Sequence, residues 1–172
     1  FHTGKRSTMK FDLRNKIAIV TGGGSGIGRA ISCTLAAQGA LVHIFELSAA
    51  SASEVVQEIE EKGGKSVAHS CNVADHEQVK ELVTSIGENT SIDILINNAG
   101  IAHIGNVEDT SEADFDKIYT VNVKGVYDCI HSVIPYMKEK GGVILNMASI
   151  AATVGIQNRF AYSMSKGSAL TM

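Results

Sequence analysis

Two side chains near the end of the chain, Tyr162 and Lys166, have the types and spacing needed to move protons near neutral pH. An isolated tyrosine loses its proton only at about pH 10, and a positive charge beside it stabilises the phenolate. Residues four positions apart share one face of a helix, and the segment 161–167 is compatible with a helix. A pair of this kind is more often ordinary helix surface, so its interpretation as an acid/base site depends on other motifs.

A glycine-rich turn far upstream could hold a phosphate-bearing cofactor. It spans residues 21–28, between an apolar run and a helical segment. Backbone N–H groups at a helix start attract phosphate, and glycines let a pyrophosphate approach the main chain closely. The glycines read G-x-x-x-G-x-G rather than G-x-G-x-x-G, so the turn alone leaves a simple strand-to-helix connection as an alternative.

Glu46 follows the second apolar run and sharpens this interpretation. A carboxylate at that place can accept hydrogen bonds from an adenosine ribose and would repel a 2′-phosphate. Two like charges about 4 Å apart repel by roughly 4 kcal/mol at intermediate dielectric, and no Arg or Lys lies beside Glu46 or inside the turn. The sequence therefore predicts NAD rather than NADP. Without the glycine turn, Glu46 would be interpreted as a solvated carboxylate at the end of a strand.

The elements that must position these residues alternate between strand and helix. Continuous apolar runs separate helix-length amphipathic segments, which predicts a parallel sheet covered by helices on both faces of each strand. The architecture is a doubly wound, Rossmann-type three-layer α/β sandwich. The strands are expected at 17–20, 41–45, 66–68, 92–96 and 143–145.

The helices carry their own start and stop signals. We expect one at 26–37 and one at 49–62, the second beginning after Ser48. Asp75 with Gln78 resembles a capping box. Ser111 begins a helical pattern that continues through residue 122 to about residue 136, where Pro135 marks its decline.

Composition excludes several classes of protein. The 172 residues are 44% hydrophobic and 19% charged, which predicts one globular core. A formal charge of −3 provides no basic surface for nucleic acid, and no apolar run is long enough to span a membrane. Three scattered cysteines favour a reducing, cytoplasmic location, and six histidines show no metal-ligand spacing, so no metal is predicted.

Together these motifs resemble the short-chain dehydrogenase/reductase family over residues 10–172. The family's TGxxxGxG turn matches residues 21–28, its NNAG segment matches residues 97–100, and its YxxxK motif matches Tyr162 and Lys166. The family's central-helix asparagine corresponds to Asn122, and its serine after the fifth strand corresponds to Ser149.

The resemblance implies a set of site residues. The catalytic residues would be Asn122, Ser149, Tyr162 and Lys166. Contacts to NAD would come from Gly22, Ser25, Gly26, Ile27, Gly28, Glu46, Asn72, Val73, Asn98, Ala99, Gly100, Tyr162 and Lys166. Many relatives carry Asp-Val where this chain has Asn72 and Val73, and an amide carbonyl can still accept a bond from the adenine amino group, with weaker discrimination.

The implied activity is hydride transfer between NAD(H) and a secondary alcohol or ketone, with Tyr162 as the general acid/base. Residues 147–152 and Glu46 resemble family members that act on sugar acids or polyols. A 3-oxoacyl-thioester reductase is the alternative substrate class. A non-catalytic NAD-sensing or interaction protein is the alternative of another kind.

The resemblance also implies assembly and chain boundaries. Relatives associate as dimers or tetramers through the helices that bear Asn122 and Tyr162, so we expect a homo-oligomer, such as a homotetramer. Residues 1–8 are interpreted as a remnant outside the native sequence, which leaves 9–172 as a single NAD-binding domain. Family members continue past the YxxxK helix, so we expect the C-terminal substrate region to be missing.

Overall fold

The computed structural model describes residues 11–88 and 90–172 and contains a five-stranded parallel sheet. The spatial order is β3-β2-β1-β4-β5. The chain adds β2 and β3 on one side of β1 and then crosses over to add β4 and β5 on the other side. This confirms the predicted doubly wound, Rossmann-type fold. The strands are β1 (Ile17–Thr21), β2 (Leu41–Glu46), β3 (Lys65–Ser70), β4 (Ile94–Asn97) and β5 (Val143–Asn146).

Six α-helices in the described part of the chain connect and cover the strands. They are α1 (Gly26–Ala37), α2 (Ala49–Glu61), α3 (His76–Gly87), α4 (Glu112–Tyr119), α5 (Gly125–Met137) and α6 (Phe160–Thr171). A π-helical turn at Thr120–Lys124 joins α4 to α5, and a short 3₁₀ helix at Ile150–Ala152 follows β5.

The core lies on both faces of the sheet. Side chains alternate along β1, so Ile19 packs with Leu95 and Val133 on the face covered by α3 and α5. Val20 points to the other face and packs with Val55 under α1 and α2. The two apolar layers hold the carboxyl ends of the strands at one edge, where the glycine turn begins.

The prediction that every strand is covered on both faces is wrong for the two edge strands. No residue of the fully described strand β3 is buried. On β5, Val143 is 61% exposed and Leu145 is 42% exposed. An edge strand has a neighbour on one side only, and a continuous apolar run does not reveal that position.

The helix caps agree with the sequence, except for one detail. The Ser48 side chain accepts a bond from the Ser51 N–H at 3.3 Å, as expected for an N-cap. Asp75 accepts from the Gln78 N–H at 3.1 Å. The Gln78 side chain, however, accepts from the Asn72 N–H at 2.7 Å instead of returning to Asp75, so the capping box is not reciprocal.

The long helical pattern after Ser111 is present but interrupted. The π-helical turn divides it into α4 and α5, and Asn122 lies within this turn. Pro135 lies inside α5, which ends at Met137. A π turn contains an extra residue per turn and recurs at functional sites.

Two sequence predictions receive no test from the structure. The interpretation of residues 1–8 concerns residues that the structure does not describe, and the division of the chain into a remnant and one domain stays a prediction.

Within residues 11–88 and 90–172, none of the helices combines the length and apolar character needed to cross a bilayer.

A histidine pair on β2 and β3, in which His43 is buried, links folding to pH. His43 is 9% exposed, and its Nδ1 lies 2.9 Å from Nε2 of His69. Burial first, and the charge of His69 second, lower the pKa of His43 from 6.5 to about 4. The folded state therefore favours the neutral ring.

We expect the free energy of unfolding to fall as the pH drops from 6.5 through about 4, because the unfolded chain binds the proton first. The loss approaches roughly 3 kcal/mol, since one pKa unit corresponds to about 1.4 kcal/mol. Urea titrations at several pH values should show a shallower loss for His43→Phe than for wild type. His131→Gln, an exposed histidine on α5, is the control. Equal pH dependence of wild type and His43→Phe would contradict this assignment.

Candidate functional site

A cleft of about 930 Å³ opens at the carboxyl ends of β1, β2 and β4. In open α/β sheets this edge, at the point where the strand order reverses, is where ligands bind. The cleft brings together ten of the residues predicted to bind the cofactor, namely Gly22, Ser25, Gly26, Ile27, Glu46, Asn72, Val73, Asn98, Ala99 and Gly100.

The glycine turn has a backbone that side chains would disturb. Gly22 and Gly26 have φ values of +62° and +50°, which glycine adopts without steric cost. A Cβ on Gly28 would lie 2.1 Å from the Gly22 carbonyl oxygen and 2.5 Å from Asn98 Nδ2. Gly28 therefore packs beneath the turn and is not among the residues that line the cleft. The turn leads directly into α1, whose first two residues, Gly26 and Ile27, line the cleft. Free N–H groups at the start of a helix attract phosphate.

Glu46, the last residue of β2, holds its carboxylate against this turn. Its Oε2 accepts from the Gly24 N–H at 3.0 Å. Its Oε1 accepts from the N–H groups of Leu47 at 2.9 Å and Ser48 at 3.3 Å. Three backbone donors thus fix the charge at the wall of the cleft.

Asn98 braces the glycine turn from the end of β4. Its backbone N–H and that of Ala99 both donate to Thr21 Oγ1 at 3.0 Å. Its side-chain Nδ2 donates to the carbonyls of Thr21 at 3.0 Å and Gly22 at 3.1 Å. These four hydrogen bonds join the two strand ends at the floor of the cleft.

Asn72 and Val73 form another wall after β3. Asn72 is exposed, and its side-chain oxygen accepts from the Ala74 N–H at 3.1 Å. Val73 is 8% exposed and packs against Gly125, where a Cβ would lie 2.9 Å from the Val73 carbonyl. This close approach of α5 to the loop leaves no room for a side chain at position 125.

Asn122 connects the π-helical turn to the loop after β4. It is 2% exposed. Its Oδ1 accepts from the Ile101 N–H at 2.8 Å, and its Nδ2 donates to the Ile101 carbonyl at 2.8 Å. Nδ2 also donates to Ser165 Oγ on α6 at 2.9 Å. All of the amide's N–H groups are thereby paired.

Lys166 and Tyr162 lie on one side of α6, as their spacing predicts. Lys166 is 8% exposed, and its Nζ lies 5.9 Å from the centroid of the Tyr162 ring. Nζ donates to the Met147 carbonyl at 2.6 Å. Burial lowers the pKa of Lys166. An ammonium held in a desolvated place beside a phenol is suited to stabilise a phenolate.

Gly100 links this pair to the cleft. It lines the cleft, and a Cβ on it would lie 3.3 Å from Asn122 Oδ1 and 3.5 Å from Lys166 Nζ. Ser149 follows β5 at the same edge of the sheet, and its Oγ accepts from the Ala151 N–H at 3.2 Å. The hydroxyl hydrogen of Ser149 can still be donated to a ligand. Asn122 and Lys166 therefore lie beside the end of the cleft that Gly100 forms.

Sequence reasoning missed part of the wall. Asp116, Lys117, Thr120 and Val121 line the cleft from α4 and the π-helical turn. Their helical spacing places them on one face, which is the only signal that could have found them. Among the described residues, no cluster of His, Cys, Asp or Glu side chains could hold a metal ion.

The sequence profile described as short chain dehydrogenase matches residues 16–172, and the chain belongs to this family. It is 42% identical to an uncharacterized oxidoreductase of Thermotoga maritima, over 92% of this chain and 63% of the relative. It is 35% identical to a 3-oxoacyl-acyl-carrier-protein reductase of the same organism, over 93% of this chain and 66% of the relative. The structure of NAD⁺-bound xylitol dehydrogenase superposes with a TM-score of 0.88 at 31% identity, covering 92% of this chain and 62% of that one. The chain thus spans somewhat less than two thirds of the length of these proteins.

Proposed function

We propose that the protein transfers a hydride between NAD(H) and a secondary alcohol or ketone. The observation that carries the proposal is the buried Lys166 ammonium, 5.9 Å from the Tyr162 ring and beside Gly100 at the end of the cleft. Membership of a dehydrogenase family supports the same reaction class. Removal of the Tyr162 hydroxyl is the direct test.

The cleft fits a dinucleotide. Gly22 and Gly26, which adopt positive φ, have no side chain, so the main chain is bare where a pyrophosphate would approach the start of α1. The Glu46 carboxylate is placed to accept bonds from a ribose, and the loop with Asn72 and Val73 to border an adenine. When bound, NAD supplies the hydride acceptor of the oxidation.

Each catalytic side chain has a task that its contacts support. Tyr162 takes the proton from the alcohol or returns it to the ketone, and Ser149 donates a hydrogen bond to the substrate oxygen. Lys166 stabilises the phenolate and, with Tyr162, contacts the nicotinamide ribose. Asn122 fixes the loop after β4 through its two bonds to the Ile101 backbone. We propose that it also positions a water between Lys166 and solvent.

We propose NAD rather than NADP because Glu46 is held at the cleft wall by three backbone N–H groups. A ribose 2′-phosphate would meet a fixed negative charge that cannot swing away without losing those bonds. Repulsion at about 4 Å amounts to roughly 1 to 4 kcal/mol between water and intermediate dielectric.

Glu46→Ala should therefore reduce the preference for NADH over NADPH by about tenfold or more, because the repulsion is removed. Fluorescence titration of both cofactors measures the two dissociation constants. Glu54→Ala, which removes an exposed carboxylate from α2, is the matched control and should leave the ratio unchanged. A wild-type protein that binds both cofactors equally would defeat the assignment of Glu46.

Two substrate classes are proposed. Similarity to xylitol dehydrogenase supports a polyol or sugar acid, and similarity to the acyl-carrier-protein reductase supports a 3-oxoacyl thioester.

The segment after β5 helps to choose between these substrates. Residues 147–158, which include Ser149, contain no Asp, Glu, Lys or Arg. Ile150, Val154 and Ile156 in this segment are 68%, 49% and 41% exposed. An apolar segment with no cation favours the acyl substrate over a sugar acid. Initial rates with matched polyol, sugar-acid and 3-oxoacyl substrates decide between them.

A non-catalytic NAD-sensing role is the alternative of another class. A protein that only binds NAD has no need for a buried Lys166 beside Tyr162. Calorimetry that shows NAD binding, together with no turnover of any substrate in the panel, would favour this alternative.

We also propose a homo-oligomer, a dimer or tetramer, that associates through α5 and α6. Tyr127 on α5 and Leu170 on α6 are 52% and 55% exposed, which leaves apolar surface on both helices. Sedimentation equilibrium measures the number of subunits in the assembly. The cytoplasmic location stays a prediction from the sequence.

A further inference from the structure

Arg159 is the only charged residue between Lys140 and Lys166. It precedes Tyr162 by three residues, at the N-cap of α6, where the segment after β5 ends. Three residues of a helix rise by about 4.5 Å, which is less than the length of an arginine side chain. A ligand that approaches Tyr162 from the start of α6 is therefore within reach of the guanidinium.

The guanidinium of Arg159 has spare donors. The residue is half-buried, and its Nη1 donates to the His103 carbonyl at 3.3 Å. This is the one hydrogen bond recorded for the side chain in the described part of the chain, and none of the ion pairs found there includes Arg159. A guanidinium carries five N–H groups in a planar fork that matches a carboxylate or a phosphate. Most of these donors are available to a ligand.

A carboxylate beside the same loop has other partners. Asp114 on α4 accepts from the Ser111 hydroxyl at 2.6 Å, and its Oδ2 lies 3.7 Å from Nε2 of His103. Asp114 thus serves the start of α4 and the imidazole. The half-buried charge of Arg159 is left without an acidic partner among the described residues, and a partly desolvated charge favours a ligand of opposite sign.

Arg159 lies where the two loops of the proposed site meet. The Gly105 N–H donates to the Asn158 carbonyl at 3.1 Å, and the Phe160 N–H donates to the Gly105 carbonyl at 3.1 Å. These bonds form a parallel bridge between the loop after β4 and the start of α6. The loop after β4 begins at the end of the cleft, and the segment after β5 contains Ser149.

The surface beside Arg159 is apolar. Ile104 in the loop after β4 is 73% exposed, and Phe160 at the start of α6 is 40% exposed. The segment after β5 adds its three exposed apolar side chains, and the 3₁₀ helix within it packs against α6. Ligand sites are mostly apolar, with a few polar groups that fix orientation. One half-buried cation in such surroundings fits a ligand with an apolar body and a single anionic group.

We propose that Arg159 is a specificity-determining residue, which binds a carboxylate or phosphate group at one end of a substrate whose body is apolar. The inference rests on the proposed function, because it concerns the substrate of the same site. It narrows that substrate to an apolar alcohol or ketone with an anionic group, as a free oxo acid or a phosphate-bearing thioester has.

The test compares three probes that share one apolar body, namely octanoate, octyl phosphate and the neutral octanamide. Calorimetry in the presence of NADH measures their dissociation constants. We expect wild type to bind at least one anionic probe about tenfold or more tightly than octanamide, because only the anion forms a charge-assisted hydrogen bond. Preference for octanoate assigns a carboxylate, and preference for octyl phosphate assigns a phosphate. This comparison needs no variant.

Variants then assign the preference to one side chain. Arg159→Gln should abolish the difference between charged and neutral probes and leave octanamide binding within about twofold of wild type. Arg159→Lys keeps the charge without the fork and should retain part of the difference. Arg14→Gln is the matched control, because Arg14 is exposed, pairs with Asp12 and lies at the amino ends of the strands. It should reproduce the wild-type affinities.

The outcomes separate this inference from the proposed function. A protein that turns over no substrate, yet loses its preference for the anionic probe in Arg159→Gln, would defeat the proposed function and retain the role of Arg159. Equal affinities of wild type for all three probes would overturn that role and leave the proposed function in place. An equal loss of affinity for all three probes in Arg159→Gln would also overturn it, because a purely structural residue acts in that way.

Discussion

Replacing Tyr162 by phenylalanine should lower kcat by about a thousandfold, because the variant keeps the ring but loses the group that moves the proton. The ring still packs near Lys166, whose Nζ lies 5.9 Å from its centroid. We therefore expect the dissociation constant of NADH to stay within about threefold of wild type. Steady-state rates and fluorescence titration of NADH on the same samples measure both quantities.

Tyr127→Phe is the matched control for this experiment. Tyr127 is 52% exposed on α5, its ring packs against His131, and it is not among the residues that line the cleft. Loss of the Tyr127 hydroxyl should leave both kcat and the dissociation constant of NADH unchanged. Full turnover by Tyr162→Phe would remove the central step of the proposed mechanism, in which the Tyr162 hydroxyl moves the proton.

Gly28→Ala should have the second large effect, this time on binding and folding. A Cβ there would lie 2.1 Å from the Gly22 carbonyl oxygen, which is backbone and cannot rotate away. The turn must shift, and Asn98 Nδ2, 2.5 Å from the same Cβ, must shift with it. We expect a loss of about 3 kcal/mol in the free energy of unfolding and about hundredfold weaker NADH binding.

Gly155→Ala provides the comparison for the glycine substitution. Gly155 lies in the segment after β5, with open space within 4 Å of its Cβ position. Urea unfolding and NADH titration of that variant should reproduce wild type. A stable Gly28→Ala protein with normal NADH affinity would show that the turn does not need close contact between Gly22 and Gly28.

The fold could be predicted because the central strands are short, continuous and apolar. Val20 and Ile44 are fully buried, and each lies in a run that a parallel sheet requires. Edge position could not be predicted in the same way, since Val143 on β5 belongs to an equally apolar run and is 61% exposed. Burial at an edge depends on neighbours in space, which a linear pattern does not contain.

The residues that line the cleft could be predicted where motif order placed them at strand ends. Glu46, Asn98 and Gly100 line the cleft as expected. Ser165 was not predictable, because a serine within a helical pattern carries no signal until its partners, Asn122 and the Tyr162 carbonyl, are seen in space. Lys117 was missed for a similar reason, since a lysine on an amphipathic helix is usually solvated surface.

The π-helical turn at Thr120–Lys124 has a consequence for the tolerance of this region to deletions. A π turn accommodates one residue more than an α-helical turn, so the helices on either side keep nearly the phase that they would have without that residue. Deleting one residue there would convert the turn to ordinary α winding, and Cys129 and Val133, now 1% and 0% exposed, would keep facing the sheet. Deleting one residue in the regular first turn of α5 would instead rotate the rest of the helix by about 100°, the angle of one helical residue, and turn these side chains away from the sheet. Single-residue deletions should therefore disturb folding less in the π-helical turn than in the regular winding that follows it.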